Sequence, residues 1–473
     1  MQIFVRLNTA VLLGTAALLV GCSWGRPTGF IAVEETITAR GGLGENGIFH
    51  DALYNPESVG LTFPGYIVAL DKGRRGSVLG SAALPAASED DRWGVHYFKQ
   101  RLHGDPKVHY ISHIVQSTGS SFGAGNCVLY SIYGKWGNAG QHRALPGDYK
   151  DEEHEANCQD FTQGRPSEAF GDSWLALDTF GREIAAHKHK YTHVVVAVMG
   201  WNTPQIEAVR NYNALVSQLK RASGKDDFRP LFVGITWAST WTSSWVEPAT
   251  RLVSYPSKAD DADEVGLTWM GEVLNILSRN TSNLPKIAIG HSFGARALMS
   301  ALCTGSKISN ESVSERQPRH PSVNKPLPEW DLFIGWQPAF SINRFTPSGS
   351  LDGFKYTEEC NKSLKAIAFT ASAHDEAMSS SFWVEMAGAK SSWDTVCEKR
   401  LQVTLRTKCI PSSQLLSTGR YDYKADKGQL TYMDASNIVW FNHPNTGGGA
   451  HSDIYRAVHG RLSYSLIRNV ARD

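Results

Sequence analysis

The segment Lys286 to Leu298, KIAIGHSFGARAL, leaves the backbone few options. Three apolar residues, Ile287 to Ile289, run into Gly290-His291-Ser292-Phe293-Gly294, and the helix-forming run Ala295-Arg296-Ala297-Leu298-Met299 follows at once. Strand, sharp turn and helix follow one another with a serine at the tip. A turn that tight puts the serine in a strained conformation and requires small residues two positions away on each side. It aims the hydroxyl off the end of the sheet and leaves the backbone N–H of the next residue facing the same space.

Around this segment, apolar strands alternate with amphipathic helices. Val194–Val198, Leu231–Ile235, Ile287–Ile289, Leu332–Ile334, Ala366–Thr370 and Ile438–Phe441 read as strands. Trp174–Ala186, a run beginning at Thr203-Pro204, Asp263–Leu277 and Ile454–Ile467 read as helices, the second with proline in its first turn. Further strands are expected at Val108–Val115 and Val128–Tyr133, and a short one at Tyr66–Leu70. The pattern predicts an α/β fold, a mostly parallel, doubly wound sheet with helices on both faces, interrupted by insertions at 304–329, 341–363 and 379–435. Ligands of such sheets sit at the carboxyl ends of the strands. That rule decides which side chains can share a site.

Three residues meet it in an informative order. Ser292 ends the turn; Asp375 follows strand 366–370, with Glu376 its neighbour and rival. His451 lies in Gly447-Gly448-Gly449-Ala450-His451, after the last expected strand, with His443 as an alternative. A serine hydroxyl needs a base to accept its proton, and an acid fixes the tautomer of that base. Asp331 and Asp434 are read as preceding strands, at the wrong end of the sheet. With the G-x-S-x-G context and the order Ser, Asp, His, the chain resembles the α/β-hydrolase superfamily of serine esterases and lipases over roughly residues 105–473. The resemblance implies a Ser292–His451–Asp375 triad and an oxyanion hole. Phe293 N–H is one expected donor, and the loop Gly200-Trp201-Asn202 supplies the other, with Trp201 favoured over Asn202. Members often carry His-Gly in that loop, where this chain has Met199-Gly200. Trp237 and Trp336, each just past a strand, are expected to line a substrate pocket together with Trp201, Trp241 and Trp245.

The implied activity is hydrolysis of carboxylic esters through an acyl-enzyme, without a cofactor. A peptidase or thioesterase of the same fold is one alternative, and a non-catalytic surface lipoprotein is the other. The histidine pairs His109/His113 and His187/His189 lack the acids and cysteines of a metal site. Lys+Arg 47 against Asp+Glu 46 gives no basic surface for nucleic acid. The expected partners are a small-molecule or lipid ester and a membrane.

Membrane attachment is read from the N-terminus. Leu7–Val20 is an apolar run behind a positive side chain, too short for a comfortable span, and Leu19-Val20-Gly21-Cys22 resembles a bacterial lipobox. The resemblance implies a signal peptide over 1–21, lipid on Cys22, and export to a bacterial membrane, with the periplasmic or surface side of the outer membrane favoured. Residues 22–104 are read as a tether or extension and 105–473 as the catalytic domain. Export permits disulfides among the remaining six cysteines. Sequence proximity pairs Cys127 with Cys158 and Cys397 with Cys409, leaving Cys303 for Cys360.

Overall fold

The computed structural model describes residues 52–53, 59–72, 109–119, 126–132, 157–165, 169–201, 203–237, 239, 259–306, 308, 329–350, 352–353, 355–356, 360–379, 385–415, 421–423, 425–442 and 448–470. The expected signal peptide, Cys22, most of the proposed tether, Asn202, Trp241, Trp245 and His443 lie outside them.

Eleven strands form one sheet: β1 Pro64–Lys72, β2 His109–Thr118, β3 Cys127–Ser131, β4 Asn157–Gln163, β5 His193–Val198, β6 Pro230–Trp237, β7 Lys286–His291, β8 Trp330–Trp336, β9 Leu364–Ala371, β10 Arg406–Ile410 and β11 Gln429–Asp434. Their order is β10-β11-β9-β8-β7-β5-β6-β1-β2-β3-β4. Only β2 runs against its neighbours, antiparallel to both β1 and β3. The central strands HVVVAV (β5), PLFVGITW (β6) and KIAIGH (β7) are buried almost throughout, as a parallel sheet covered by helices requires. The fold is thus α/β, with a large mixed but mostly parallel sheet.

Six helices matter for the site: α1 Ala169–His187, α2 Gln205–Ser223, α3 Gly271–Asn280, α4 Phe293–Thr304, α5 Lys390–Cys397 and α6 Ala457–Val470. The third packs against both the first and the fourth; the first lies on β2 and the fourth on β7 and β8, while α2 and α6 form a second pair against β6 and β8. The helix expected over 263–277 is broken. A wide turn at Gly266–Met270 kinks at Thr268 and leads into α3. Gly266 lies against Ala297 and Ser300 of α4, which leaves no room for a side chain.

Several sequence expectations are revised. Residues 438–441 form no strand, and the last strand is Gln429–Asp434, inside the stretch read as an insertion. The cause is local: Asp453 Oδ2 accepts the N–H groups of Trp440 (3.0 Å) and Phe441 (2.8 Å), so they do not join a ladder. Asp434 therefore sits at the carboxyl end of β11, not before a strand. Its carboxylate is committed to Ser436, whose N–H and hydroxyl it accepts. Strand β1, inside the 22–104 extension, is interior to the sheet and pairs in parallel with β6. The polar stretch before Pro166 contributes β4.

The three disulfides are Cys127–Cys158, Cys303–Cys360 and Cys397–Cys409, as proximity suggested. Their presence points to an oxidising, extracytoplasmic compartment. Among the described residues no helix is long and apolar enough to cross a membrane.

Beneath α4 lies a buried ion cluster. Asp263, Arg296 and Arg344 are fully buried. Both Asp263 oxygens accept from Arg344 (2.9 and 2.7 Å), and Arg296 Nε donates to Oδ2 at 2.8 Å. Ser300 donates to Oδ1 at 2.6 Å, and Arg296 Nη1 reaches Asp352 at 2.7 Å. Two guanidinium groups thus face two carboxylates, and the cluster ties the segment before the kink to α4 and to the loop after β8. Burial alone would raise the Asp263 carboxyl, but Arg296 and Arg344 hold it below its ordinary value. A carboxyl depressed by folding stabilises the fold above its unfolded pKa of about 4 and loses that contribution as pH falls through the folded value. Asp263→Ala, which strands two buried guanidinium groups, is expected to cost ~3–5 kcal/mol in urea unfolding at neutral pH. A loss below about 1 kcal/mol would show that the cluster does not hold α4.

Candidate active site

Strand order fixes where a site can form. From β5 the chain crosses to β6 on one side and then to β7 on the other. The gap between β5 and β7 is therefore a topological switch point, where the carboxyl ends open a crevice. Ser292 follows β7, and Gly200 follows β5.

Ser292 has φ 55° and ψ −126°, a conformation that side chains other than glycine rarely adopt. Its N–H donates to Trp336 O (3.1 Å), and its carbonyl accepts from Ala295 and Ala339 (3.1 Å each). Glycines crowd it from three directions. A Cβ on Gly290 would strike Ala295, one on Gly294 would strike the Val198 and Met199 carbonyls, and one on Gly200 would lie 2.6 Å from Ser292 Cβ. The two motif glycines are therefore needed for close approach. Gly200 is a third member of the same packing that the motif does not include.

His451 Nδ1 lies 2.8 Å from Asp375 Oδ2, and the other Asp375 oxygen accepts the Met378 N–H at 3.0 Å. Asp375 is 1% exposed. With the Nδ1 proton directed to the carboxylate, Nε2 is left as the acceptor nitrogen. The backbone N–H of Glu376, the neighbouring acid, donates to Gly448 O at 3.1 Å. The loop before His451 is anchored, not loose: Ala450 N–H donates to His374 O (2.8 Å), and Asp375 bridges to Gly449. Gly448 and Gly449 have φ of 83° and 65°, and a Cβ on Gly449 would fall 2.5 Å from His374 O.

His291 brings the two halves of the site together. Its Nε2 donates to His451 O at 2.9 Å, and the two rings lie 4.6 Å apart. Burial and the nearby His451 push its pKa down to about 3, so it is neutral at physiological pH. His451 is thereby held beside the residue preceding Ser292. Ser292 Oγ and His451 Nε2 are not hydrogen-bonded to each other in this structure.

Phe293 opens α4, whose first-turn N–H groups point away from the helix. Trp201 is partly exposed, with its ring 6.2 Å from that of Phe293. Phe293 is the residue after Ser292, and Gly200, the residue before Trp201, packs directly against the Ser292 side chain. Trp237 and Trp336 do not fit the pocket expectation. They are 3% and 1% exposed, and their indole N–H groups are taken by Met199 O (3.0 Å) and Ser463 Oγ (3.3 Å). Trp237 steadies the peptide before Gly200, and the Trp336 carbonyl receives Ser292 N–H, so both act as buttresses.

Gln337 was not legible in the sequence. It has φ 41°, is fully buried, and lies one residue past the carbonyl that holds Ser292. Among the described residues no cluster of three or more metal-ligating side chains occurs. His109 is paired with Glu264 at 3.1 Å, an acid its sequence neighbourhood did not reveal.

The chain matches no protein-family model, and no curated protein is significantly similar to it. Functional reasoning therefore rests on the site itself.

The depressed pKa of His291 makes a direct expectation. In NMR of histidine side chains its imidazole should stay neutral, protonated on Nε2, from pH 5 to 8. A midpoint near the ordinary value of about 6.5 would contradict the buried bridge to His451.

Proposed function

We propose that this chain is a serine hydrolase that cleaves carboxylic esters through an acyl-enzyme, of the α/β-hydrolase kind its sequence resembles. The observation that carries the proposal is the Asp375–His451 hydrogen bond, tied through His291 to the turn that holds the strained Ser292 at the switch point of the sheet. Ser292 Oγ attacks the acyl carbonyl, and its proton passes to His451 Nε2. Asp375 holds the tautomer and stabilises the imidazolium. The N–H of Phe293, with a second donor from the loop at Trp201, receives the oxyanion. His451 then returns the proton to the leaving alcohol. Water, deprotonated by His451, attacks the acyl carbon, and collapse frees the acid and restores Ser292 Oγ–H. Hydrogen bonds between nucleophile and base often close only when substrate is present, so the open Ser292–His451 pair is compatible with this sequence of steps.

Neutral His291 fits the same role. A charged imidazole beside His451 would oppose formation of the imidazolium, and burial keeps His291 uncharged. We further propose that the chain is exported and lipid-anchored through Cys22. The disulfides agree with export, and the lipobox-like sequence is the basis for the anchor.

Hydrolysis of p-nitrophenyl esters of graded chain length tests the enzymatic reading. Ser292→Ala is expected to abolish turnover, and Asp375→Asn to lower kcat by about 10⁴-fold with little change in unfolding midpoint. Parent activity unchanged in Ser292→Ala would sink the assignment.

A further inference from the structure

Among the described residues, three that are not glycine have positive φ: Ser292 (55°), Gln337 (41°) and Arg400 (58°). The first two face each other across neighbouring strands. His291, the last residue of β7, is in register with Trp336, the last of β8, so Ser292 and Gln337 are the next pair along.

A regular parallel ladder would hold Ser292 by two bonds, its N–H on the Trp336 carbonyl and its carbonyl on the N–H of residue 338. The first bond is present at 3.1 Å. The second cannot form, because residue 338 is proline and has no N–H. Ala339 N–H reaches the Ser292 carbonyl instead, also at 3.1 Å. Two residues, Gln337 and Pro338, therefore stand opposite one. That is a β-bulge, which bends a strand and re-aims the side chains beside it. Gln337, with its positive φ, is where the backbone takes up the extra length.

Local preference opposes this conformation. A residue before proline is pushed towards extended backbone with negative φ, and a side chain at positive φ adds strain. Packing imposes it. Gln337 N–H donates to Thr370 Oγ1 at 3.1 Å. From another side, Gly388 N–H donates to Pro338 O at 2.9 Å, and a Cβ on Gly388 would fall 2.6 Å from the Gln337 carbonyl carbon. The Gly388 carbonyl accepts the N–H of Ser372 at 3.1 Å, and Ser372 lies just before Asp375 in the chain. The bulge is thus bonded on one side to the turn that carries Ser292 and on the other to the segment that leads to Asp375.

The side chain explains none of this. Gln337 is fully buried, and among the described residues neither its amide oxygen nor its amide nitrogen has a hydrogen-bond partner. The contacts made at this position are backbone contacts.

We propose that Gln337 is a positioning residue for the nucleophile: its left-handed backbone makes the bulge that grips Ser292 by both N–H and carbonyl and so holds the serine at positive φ. The value of that grip for catalysis rests on the hydrolase reading; the grip itself does not.

Rates of fluorophosphonate labelling at Ser292 in the purified chain test the role. Gln337→Val puts a β-branched side chain at positive φ and is expected to label about 10²-fold more slowly than the parent. Gln337→Gly also lacks the amide but admits positive φ, and it should recover roughly tenfold or more of that loss. Crystal structures of the parent and of Gln337→Val supply a second readout. Ser292 φ is expected near 55° in the parent and outside the left-handed region in the variant. Should Gln337→Val fail to fold, Gly388→Ala presses on the same bulge from outside and is expected to slow labelling and shift Ser292 in the same way. A Gln337→Gly protein that is folded yet labels as slowly as Gln337→Val would overturn the proposal, since the amide would then carry the role. So would an unchanged Ser292 φ in folded Gln337→Val or Gly388→Ala. A parent that takes no label would remove the hydrolase reading, and the comparison of Ser292 φ would still decide whether Gln337 sets the turn.

Discussion

Everything at the carboxyl end of the sheet depends on one backbone conformation, the φ of 55° at Ser292. Such a conformation costs on the order of 1–3 kcal/mol and persists only where the surroundings over-determine it. Here they do. Trp336 and Ala339 clamp the peptide from β8, and glycines at 200, 290 and 294 let neighbouring backbone approach within contact distance. One helical turn after Ser292, Arg296 enters the buried cluster with Asp263 and Asp352. The strain at the tip is thus opposed by charge pairing at the root of the same helix. Breaking either should let the serine relax off the strand.

The histidine arrives by an independent route and is fixed by independent contacts. Two glycines with positive φ lay the loop against His374 and Glu376, so the segment bearing His451 is pinned to the segment bearing Asp375. His291 then ties this unit back to β7 through the His451 carbonyl. One buried neutral imidazole therefore links two parts of the chain that are 160 residues apart. Its neutrality follows from burial, and it keeps positive charge away from His451.

Much of this was legible in the sequence, for identifiable reasons. The strands from β5 to β9 are continuous apolar runs because both faces are covered, and such runs need no alternation to be recognised. The turn at Ser292 declared itself through two glycines, and Asp375 through its position after β9. What failed did so where side chains decide. Ile438 to Phe441 has the composition of a strand, yet the Asp453 carboxylate takes its N–H groups, and β11 forms earlier from a less apolar run. Trp237 and Trp336 stand at strand ends as a pocket would require, but their indole N–H groups turn inward to Met199 and Ser463. The ion cluster was invisible because its four members come from segments up to 89 residues apart, Asp263 to Asp352. Gln337 gives no sequence signal at all; only its backbone angle marks it.

The same few contacts shape the outward surface. Asp453, which denies 440–441 a place in the sheet, also fixes the chain two residues from His451, and burial of its carboxyl is outweighed by Arg456 and the two N–H groups that hold it ionised. The outward turn of Trp440 and Phe441 is a consequence of that one anchoring carboxylate. The central claim, that Ser292 is an activated nucleophile, is tested most directly by fluorophosphonate labelling of the folded protein followed by peptide mass mapping. The account predicts one phosphonyl group per chain, on Ser292, lost in His451→Ala while the fold persists. No label on the folded parent, or label on another residue, would contradict it.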